Sequence, residues 1–210
     1  MTSADVGTVK LFENERIRVW DMCVPPGGDT SFHQHEHDYI FLQIGDGVCT
    51  VQTVDANTRE ARARSNPSGV GAKSCTFRTA SEEGPVAHNL SNADPENNYR
   101  QILVEFLETT PRHSAAEVEA CLSNAALTTE VGSGLLYEND RCRVHDFSLD
   151  PHSGEELPWH HHTLPYFFVN VCGGRNSPGR GFHGLRGWKT QDETESFELW
   201  SQDRDVRVYS

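Results

Sequence analysis

The sequence of 210 residues lacks several features that define special classes of protein. It has no run of about 18 or more apolar residues, so no membrane-spanning helix is expected. Its opening, MTSADVGTVK, lacks the apolar stretch of a secretory signal. Its six cysteines form no CxxC pair, so we expect reduced thiols and a cytoplasmic location.

Positive charge is scarce as well. Eighteen lysines and arginines stand against 31 aspartates and glutamates, which gives a formal net charge of −13. Nucleic acids and anionic membranes are polyanions, so we expect neither as a partner. The hydrophobic fraction of 36% is sufficient for a packed core, and the sequence predicts a folded protein.

An internal repeat organises the chain. Residues 11–26 read LFENERIRVWDMCVPP and residues 136–151 read LYENDRCRVHDFSLDP, with eight of the sixteen positions identical. The alignment continues into two histidine clusters. It pairs three residues of each copy: His33 with His160, His35 with His162, and Tyr39 with Tyr166.

Within each copy the apolar residues alternate with a period of two. Short β-rich runs punctuated by Gly, Pro, Asn and Asp predict an all-β barrel or sandwich. We divide the chain into a first unit over 8–110, a helical linker over 111–134 and a second unit over 135–210. Ser114-Ala-Ala-Glu117 is a capping-box pattern that predicts a helix start in the linker. The second unit ends short of the span of the first, and the polar stretch 55–75 is predicted to be a long hairpin loop.

The histidines point to a metal. Residues i and i+2 of a strand share a face, so His33 and His35 are expected to project together, with His37 and Tyr39 following if the strand continues straight. Imidazole is the commonest metal ligand in proteins. A third ligand is predicted at His88, where a Gly-Pro turn introduces a strand that presents it across the barrel.

Two sets of residues in the first copy carry a family resemblance. One set is Gly27 or Gly28, His33, His35, and Gly45 or Gly47; the other is His88 and Asn92. They resemble the two motifs of the cupin superfamily, roughly G-x5-H-x-H-x3,4-E-x6-G and P-x-G-x2-H-x3-N. The phrase FENERIRVWD with HQHEHDY is similar to small cupins associated with β-alanine degradation.

The resemblance implies a fold and an assembly. The fold is an all-β, cupin-type double-stranded β-helix (jelly-roll) barrel, repeated as in bicupins, with the second copy degenerate or incomplete. A homodimer is implied because small cupins commonly dimerise. The glutamate of the first motif is absent, because Tyr39 and Ile40 stand at its two possible positions. A three-histidine site of His33, His35 and His88 remains.

The same resemblance implies an activity. Cupins with three histidines, such as the thiol dioxygenases, hold Fe(II), and three neutral ligands leave open positions for a substrate and O2. We therefore expect a metal-dependent enzyme acting on a small-molecule substrate, of Fe(II) dioxygenase type, with Tyr39 or His37 moving a proton. Zn, Ni, Mn or Cu would also suit nitrogen ligands. The alternatives are a metal-dependent lyase or isomerase and a non-catalytic module that binds or senses a small ligand.

Two further groups of residues leave their roles open. His160 and His162 repeat the H-x-H pattern and form a possible weak second metal site, but no H-x3-N follows them, and His161 alternates outward. Glu105, on the predicted strand Tyr99–Leu107, faces either the barrel interior or, as a single strand glutamate more often does, the surface.

Overall fold

The structure is a computed structural model of the chain. It describes residues 5–55, 61–65, 74–83, 86–111, 113–124, 131–149, 164, 166–172 and 194–201. The chain divides into two compact units, Met1–Thr109 and Thr110–Ser210. Among the described residues, the helices are too short or too polar to span a membrane.

Among its described residues, the first unit contains eight strands and one short helix. They are β1 (Val9–Glu13), β2 (Ile17–Val24), β3 (Asp38–Gln43), β4 (Cys49–Asp55), β5 (Ala61–Ser65), β6 (Cys75–Arg78), α1 (Ala80–Glu83), β7 (Val86–Asn92) and β8 (Tyr99–Phe106). One sheet has the order β1-β2-β8-β3-β6 and the other β5-β4-β7, and the pairing is antiparallel throughout. The predicted all-β fold is confirmed.

The core of this unit lies between its two sheets. Strand β2, with the sequence IRVWDMCV, presents every second side chain to that core, as a period of two requires. Met22 and Tyr99 of the larger sheet pack with Val51 and Leu90 of the smaller one in a single buried cluster. The opposite face of the larger sheet is buried too, and every residue of β8 from Gln101 to Phe106 is buried.

The stretch 55–75 is not a simple loop. Its residues Ala61–Ser65 form β5, which pairs antiparallel with β4 along its length, so the prediction of a long hairpin loop is wrong there. The sequence ARARS alternates small and charged residues with a period of two, and such a pattern suits the outer strand of a sheet. The abundance of Arg, Gly and Ser around it hid this strand.

The second unit contains the helix α2 (Ala115–Ser123) and the strands β9 (Gly134–Glu138), β10 (Cys142–Leu149), β11 (Tyr166–Cys172) and β12 (Thr194–Ser201). The predicted capping box is confirmed, because the Ser114 hydroxyl accepts from the Glu117 amide and the Glu117 carboxylate accepts from the Ser114 amide. All residues of α2 are exposed or half-buried.

The second unit repeats the strand order of the first. Its sheet runs β9-β10-β12-β11, which corresponds to β1-β2-β8-β3. Strand β12 therefore takes the place of β8, and the second unit is not truncated after its β3 equivalent. The second unit is shorter because of the segment between two of its strands. Residues 173–193 connect β11 to β12, whereas the longer segment 44–98 connects β3 to β8.

Candidate metal centre

The backbone brings His33 and His88 face to face. The segment from Gly27 to His33 runs antiparallel along β7, with hydrogen bonds from the Thr30 amide to the Leu90 carbonyl (2.8 Å) and from the Asn92 amide to the Gly28 carbonyl (2.9 Å). At its end, His33 and His88 form an isolated bridge in which each amide donates to the other's carbonyl at 2.9 Å. The two side chains therefore project from adjacent positions.

His35 completes the cluster. The ligand nitrogens of His33, His35 and His88 all lie within 4.8 Å of one another. The ring centroids are 5.2 Å apart for His33 and His35, 4.6 Å for His33 and His88, and 5.0 Å for His35 and His88. These are the three histidines that the sequence predicts as ligands of one metal ion, and the structure brings them together.

The distance between two ring nitrogens suits a shared cation. His35 Nε2 and His88 Nε2 are 3.3 Å apart. A divalent ion about 2.0–2.1 Å from each of two nitrogens holds them roughly 2.8–3.4 Å apart when the ligand angle lies between right-angled and tetrahedral. The same distance also permits a hydrogen bond between the two rings, so the remaining nitrogens decide whether a cation fits.

The tautomer of His33 leaves a nitrogen lone pair inside the protein. Its Nδ1 lies 2.9 Å from the Ser31 carbonyl, which can only accept, so Nδ1 carries the proton and Nε2 does not. Among the described residues, no group hydrogen-bonds the buried His33 Nε2 or the buried His35 Nδ1. A cation bound at His33 Nε2 would satisfy its lone pair, and the Ser31 carbonyl would orient the ring as outer partners of metal ligands usually do.

Burial holds two rings of the cluster, those of His33 and His35, in the neutral form. Burial lowers the pKa of His33 below its ordinary value of 6.5, while the hydrogen bond to Ser31 opposes that shift. Burial, followed by repulsion from His88 and His33, lowers the pKa of His35 to about 2. Neutral imidazole is the form that binds metals, so these residues fit a divalent ion.

Tyr39 lies against the cluster. Its ring stacks on the His35 ring with a centroid distance of 3.8 Å and an interplanar angle of 15°. Tyr39 occupies the position at which the cupin motif has a glutamate, and it is 4% exposed. The residue in that position thus supplies an aromatic face that fixes the plane of a candidate ligand.

His37 is not part of the cluster. The strand does not continue straight through His33, His35, His37 and Tyr39, because the chain bends at His37 and β3 begins only at Asp38. His33 and His35 lie before this bend, outside any long strand. His37 is half-buried there, and the three histidines that converge do not include it.

Glu105, which the sequence allows on either face of its strand, lies in the interior of the first unit. It is 2% exposed, accepts from Trp20 Nε1 at 2.8 Å and from Arg18 Nη1 at 3.3 Å, and lies directly opposite Tyr39 in the register of β8 and β3. Its partners Arg18 and Trp20 lie two residues apart on one face of β2, directly opposite Glu105 and Leu103 of β8.

Asn92 of the H-x3-N pattern has a structural role. Its side-chain amide donates to the carbonyls of Val24 and Asn97 at 2.9 and 2.8 Å, and its side-chain oxygen accepts from the Asp94 amide at 3.0 Å. It is 3% exposed. Asn92 therefore fixes the end of β7, the strand that carries His88.

The counterpart of the cluster in the second unit falls outside the described residues. His160, His161 and His162 all lie there, so the possible weak second metal site remains a prediction. Tyr166, the equivalent of Tyr39, is half-buried at the start of β11.

Comparison with known proteins shows likeness of fold. No family model and no curated protein matches the sequence. AerE from Microcystis aeruginosa is similar over 89% of this chain and 88% of that chain, with 9% identity and a TM-score of 0.53. A mutant of Bacillus subtilis oxalate decarboxylase is similar over 91% of this chain and 70% of that one, with 13% identity and a TM-score of 0.48. A cupin domain from Bordetella pertussis is similar over 47% of this chain and 88% of that chain, with 21% identity and a TM-score of 0.36.

Proposed function

We propose that this chain is a metal-dependent enzyme that acts on a small molecule, with His33, His35 and His88 as ligands of one divalent ion. The observation that carries the proposal is the convergence of three imidazoles inside the first unit, two of them buried and with lowered pKa values. The unpartnered lone pair of His33 supports it, since a buried acceptor without a partner costs about 1–3 kcal/mol.

The proposed metal is Fe(II), and the proposed reaction is of dioxygenase type. Imidazole suits Fe, Ni, Cu and Zn, so the ligands favour a transition metal over Mg or Ca. When bound, the metal would supply Lewis acidity and a place where a substrate and O2 meet. Among the described residues, the group of candidate ligands contains no carboxylate that would lower the charge of the site, and Tyr39 stands at the motif position of the glutamate.

The protein's own residues would orient the ligands and move protons. The Ser31 carbonyl fixes the tautomer of His33, and the Tyr39 ring fixes the plane of His35. Tyr39 is the proposed proton carrier closest to the ligands, because its ring touches one of them. His37 remains a second proposed carrier, although it lies outside the cluster.

Metal analysis of matched variants tests this function. Untagged protein prepared without chelator is examined by mass spectrometry as wild type, His35→Ala and the control His37→Ala. We expect about one equivalent of metal in the wild type and in His37→Ala, and loss of that metal in His35→Ala. Metal retained by His35→Ala would point to a site elsewhere.

The identity of the metal then separates the reaction types. Iron, together with oxygen uptake in the presence of a substrate, would support the dioxygenase proposal. Zinc or nickel without oxygen uptake would indicate a lyase or isomerase. If no variant binds metal even after reconstitution, the enzyme proposal is wrong and a non-catalytic binding module is favoured.

A further inference from the structure

The interior carboxylate of Glu105 stands next to the residue that contacts a candidate metal ligand. In the register of β8 and β3, Glu105 is directly opposite Tyr39, and directly opposite residues project from the same face with Cβ atoms about 4.5–5.5 Å apart. On that face the Tyr39 ring stacks on the His35 ring at a centroid distance of 3.8 Å. Glu105 itself is not in the group of three histidines whose ligand atoms converge, so any effect on the site passes through its neighbours.

A hydrogen bond holds Glu105 and Trp20 together in the interior. The Glu105 carboxylate, which is 2% exposed, accepts from Trp20 Nε1 at 2.8 Å and from Arg18 Nη1 at 3.3 Å. Nε1 is the only polar atom of an indole, so this one bond sets the orientation of the Trp20 ring. Arg18 also pairs with Glu13 at 3.0 Å, so its charge does not depend on Glu105 alone for compensation.

Packing carries the orientation of Trp20 to Tyr39. The two residues, each 4% exposed, belong to one buried cluster with Val6 and Leu103. Leu103 stands directly opposite Trp20 and lies two residues before Glu105 on the same face of β8. Protein interiors are packed as densely as organic crystals, so a ring in such a cluster cannot turn unless its neighbours move. The orientation of Trp20 therefore limits that of Tyr39.

We propose that Glu105 and Trp20 are positioning residues of the metal site. Through Tyr39 they hold the His35 ring in the orientation in which it binds the ion. The proposal rests on the proposed function for the ion itself. Groups that orient a metal ligand from outside commonly strengthen metal binding by about 10–100-fold, because the ligand is fixed before the ion arrives.

His35 depends on such support more than His33 does. The Ser31 carbonyl orients His33 through a hydrogen bond of 2.9 Å with Nδ1. Among the described residues, none hydrogen-bonds the corresponding Nδ1 of His35, and its ring is instead stacked on Tyr39. The plane of this ligand therefore depends on how firmly the packing around Tyr39 is fixed.

Three variants of the full chain and one control test the proposal. Glu105→Leu removes the carboxylate but keeps a side chain of similar size, Trp20→Phe removes the donor, and the double variant removes both. The control is Val104→Ala. Val104 is 2% exposed and adjoins Glu105 in β8, but its side chain projects from the opposite face. The control therefore destabilises the same strand without touching the hydrogen bond to Trp20.

Two readouts follow the His35 ring and its binding of an ion. In metal-free protein, proton NMR follows the His35 ring signals, which the ring current of the stacked Tyr39 shifts upfield and which are identified by their loss in His35→Gln. Titration with Co²⁺, followed by visible absorption, gives the metal affinity, and the absorption bands report the geometry of the ligands.

We expect Glu105→Leu and Trp20→Phe to move the His35 signals towards those of an exposed histidine and to weaken Co²⁺ binding about tenfold or more. Because Glu105 acts through Trp20, the double variant should bind Co²⁺ no more weakly than the weaker of the two single variants. Val104→Ala should lower the melting temperature but leave the His35 signals and the Co²⁺ affinity at their wild-type values.

Unchanged His35 signals and Co²⁺ affinity in Glu105→Leu and Trp20→Phe overturn the proposal. Equal effects in Val104→Ala overturn it as well, since loss of stability alone would then suffice. If Glu105→Leu proves unfolded, Trp20→Phe decides, because it keeps an aromatic ring in the cluster and removes the donor.

The two readouts keep this proposal and the proposed function apart. A wild type that binds no Co²⁺ refutes the metal site, while shifted His35 signals in the variants would still support positioning of the ring. A wild type that binds one equivalent of Co²⁺, with the same affinity and the same His35 signals in every variant, refutes positioning alone.

Discussion

Acid should destabilise the metal-free protein through His35, and His35→Gln should remove that effect. The ring is 4% exposed and carries no charge in the native state, because burial first and the charges of His88 and His33 next lower its pKa from 6.5 to about 2. In the unfolded chain the same ring is solvated and takes up a proton near pH 6.5.

The sign and size of the effect follow from these two pKa values. Between pH 6.5 and about 2, the unfolded state holds a proton that the native state does not, so the free energy of unfolding falls as the pH falls. The contribution of the neutral His35 ring to the free energy of unfolding is fully present above pH 6.5. Below it, each pH unit removes about 1.4 kcal/mol, and a change from pH 7.5 to pH 5.0 removes about 2 kcal/mol.

Urea unfolding in the presence of a chelator measures this contribution. Wild type, His35→Gln and the control His37→Gln are compared at pH 7.5, 6.5, 5.8 and 5.0, all approximate settings within the titration range of histidine. Carboxylates that titrate in this range are common to all three proteins and cancel in the difference. We expect wild type and His37→Gln to lose about 2 kcal/mol more than His35→Gln over the range. Parallel curves for wild type and His35→Gln would refute the buried, neutral His35.

Two further substitutions test the interior of the first unit. Trp20→Phe keeps the apolar ring but removes the donor to the buried Glu105 carboxylate, and we expect a loss of about 1–3 kcal/mol in denaturant unfolding; an unchanged midpoint would contradict the hydrogen bond. Gly47→Ala would place a Cβ 2.6 Å from the Tyr99 Cα, a backbone atom that cannot rotate away, so the melting temperature should drop sharply. The control Gly134→Ala has no atom within 4 Å of its new Cβ and should melt close to wild type.

The three-histidine cluster could be predicted because its determinants are local. The pattern H-x-H places two histidine rings two residues apart. The pattern H-x3-N, formed by His88 and Asn92, marks the strand that carries the third histidine. The structure adds that the segment before the first histidine pairs with β7, which brings His33 directly opposite His88. That pairing is a long-range contact, which no local pattern in the sequence predicts.

The separation of His37 from the cluster depends on a bend, which a period of two cannot reveal. The period places His37 on the face of His33 and His35 only if the strand continues straight, and the chain turns at His37. Asp38 accepts from the Ala80 amide at 3.0 Å just after this turn, and β3 starts there with its own register. A contact between residues so far apart in sequence leaves no local pattern.

Burial of Glu105 was equally invisible from its own strand. In YRQILVEF both faces of the strand are buried, so no alternation of apolar and polar residues distinguishes inside from outside. Its position depends on partners in β2, where Arg18 supplies a charge and Trp20 a donor. A buried carboxylate is tolerated when it is paired in this way, and the pairing becomes apparent only once β2 and β8 are known to be neighbours.

The two units share a strand order, but they differ in the residues that surround Tyr39 in the first unit. In the second unit, Arg143 repeats Arg18, but the residue opposite it is Trp200, where the first unit has Glu105. The position of Trp20 is taken by His145. Strand order is therefore the repeated property, and among the described residues the pairing of a tryptophan with a buried carboxylate occurs in the first unit. Arg18 has a counterpart in Arg143, but Glu105 does not, so the carboxylate beside Tyr39 is specific to the unit in which the three histidines converge.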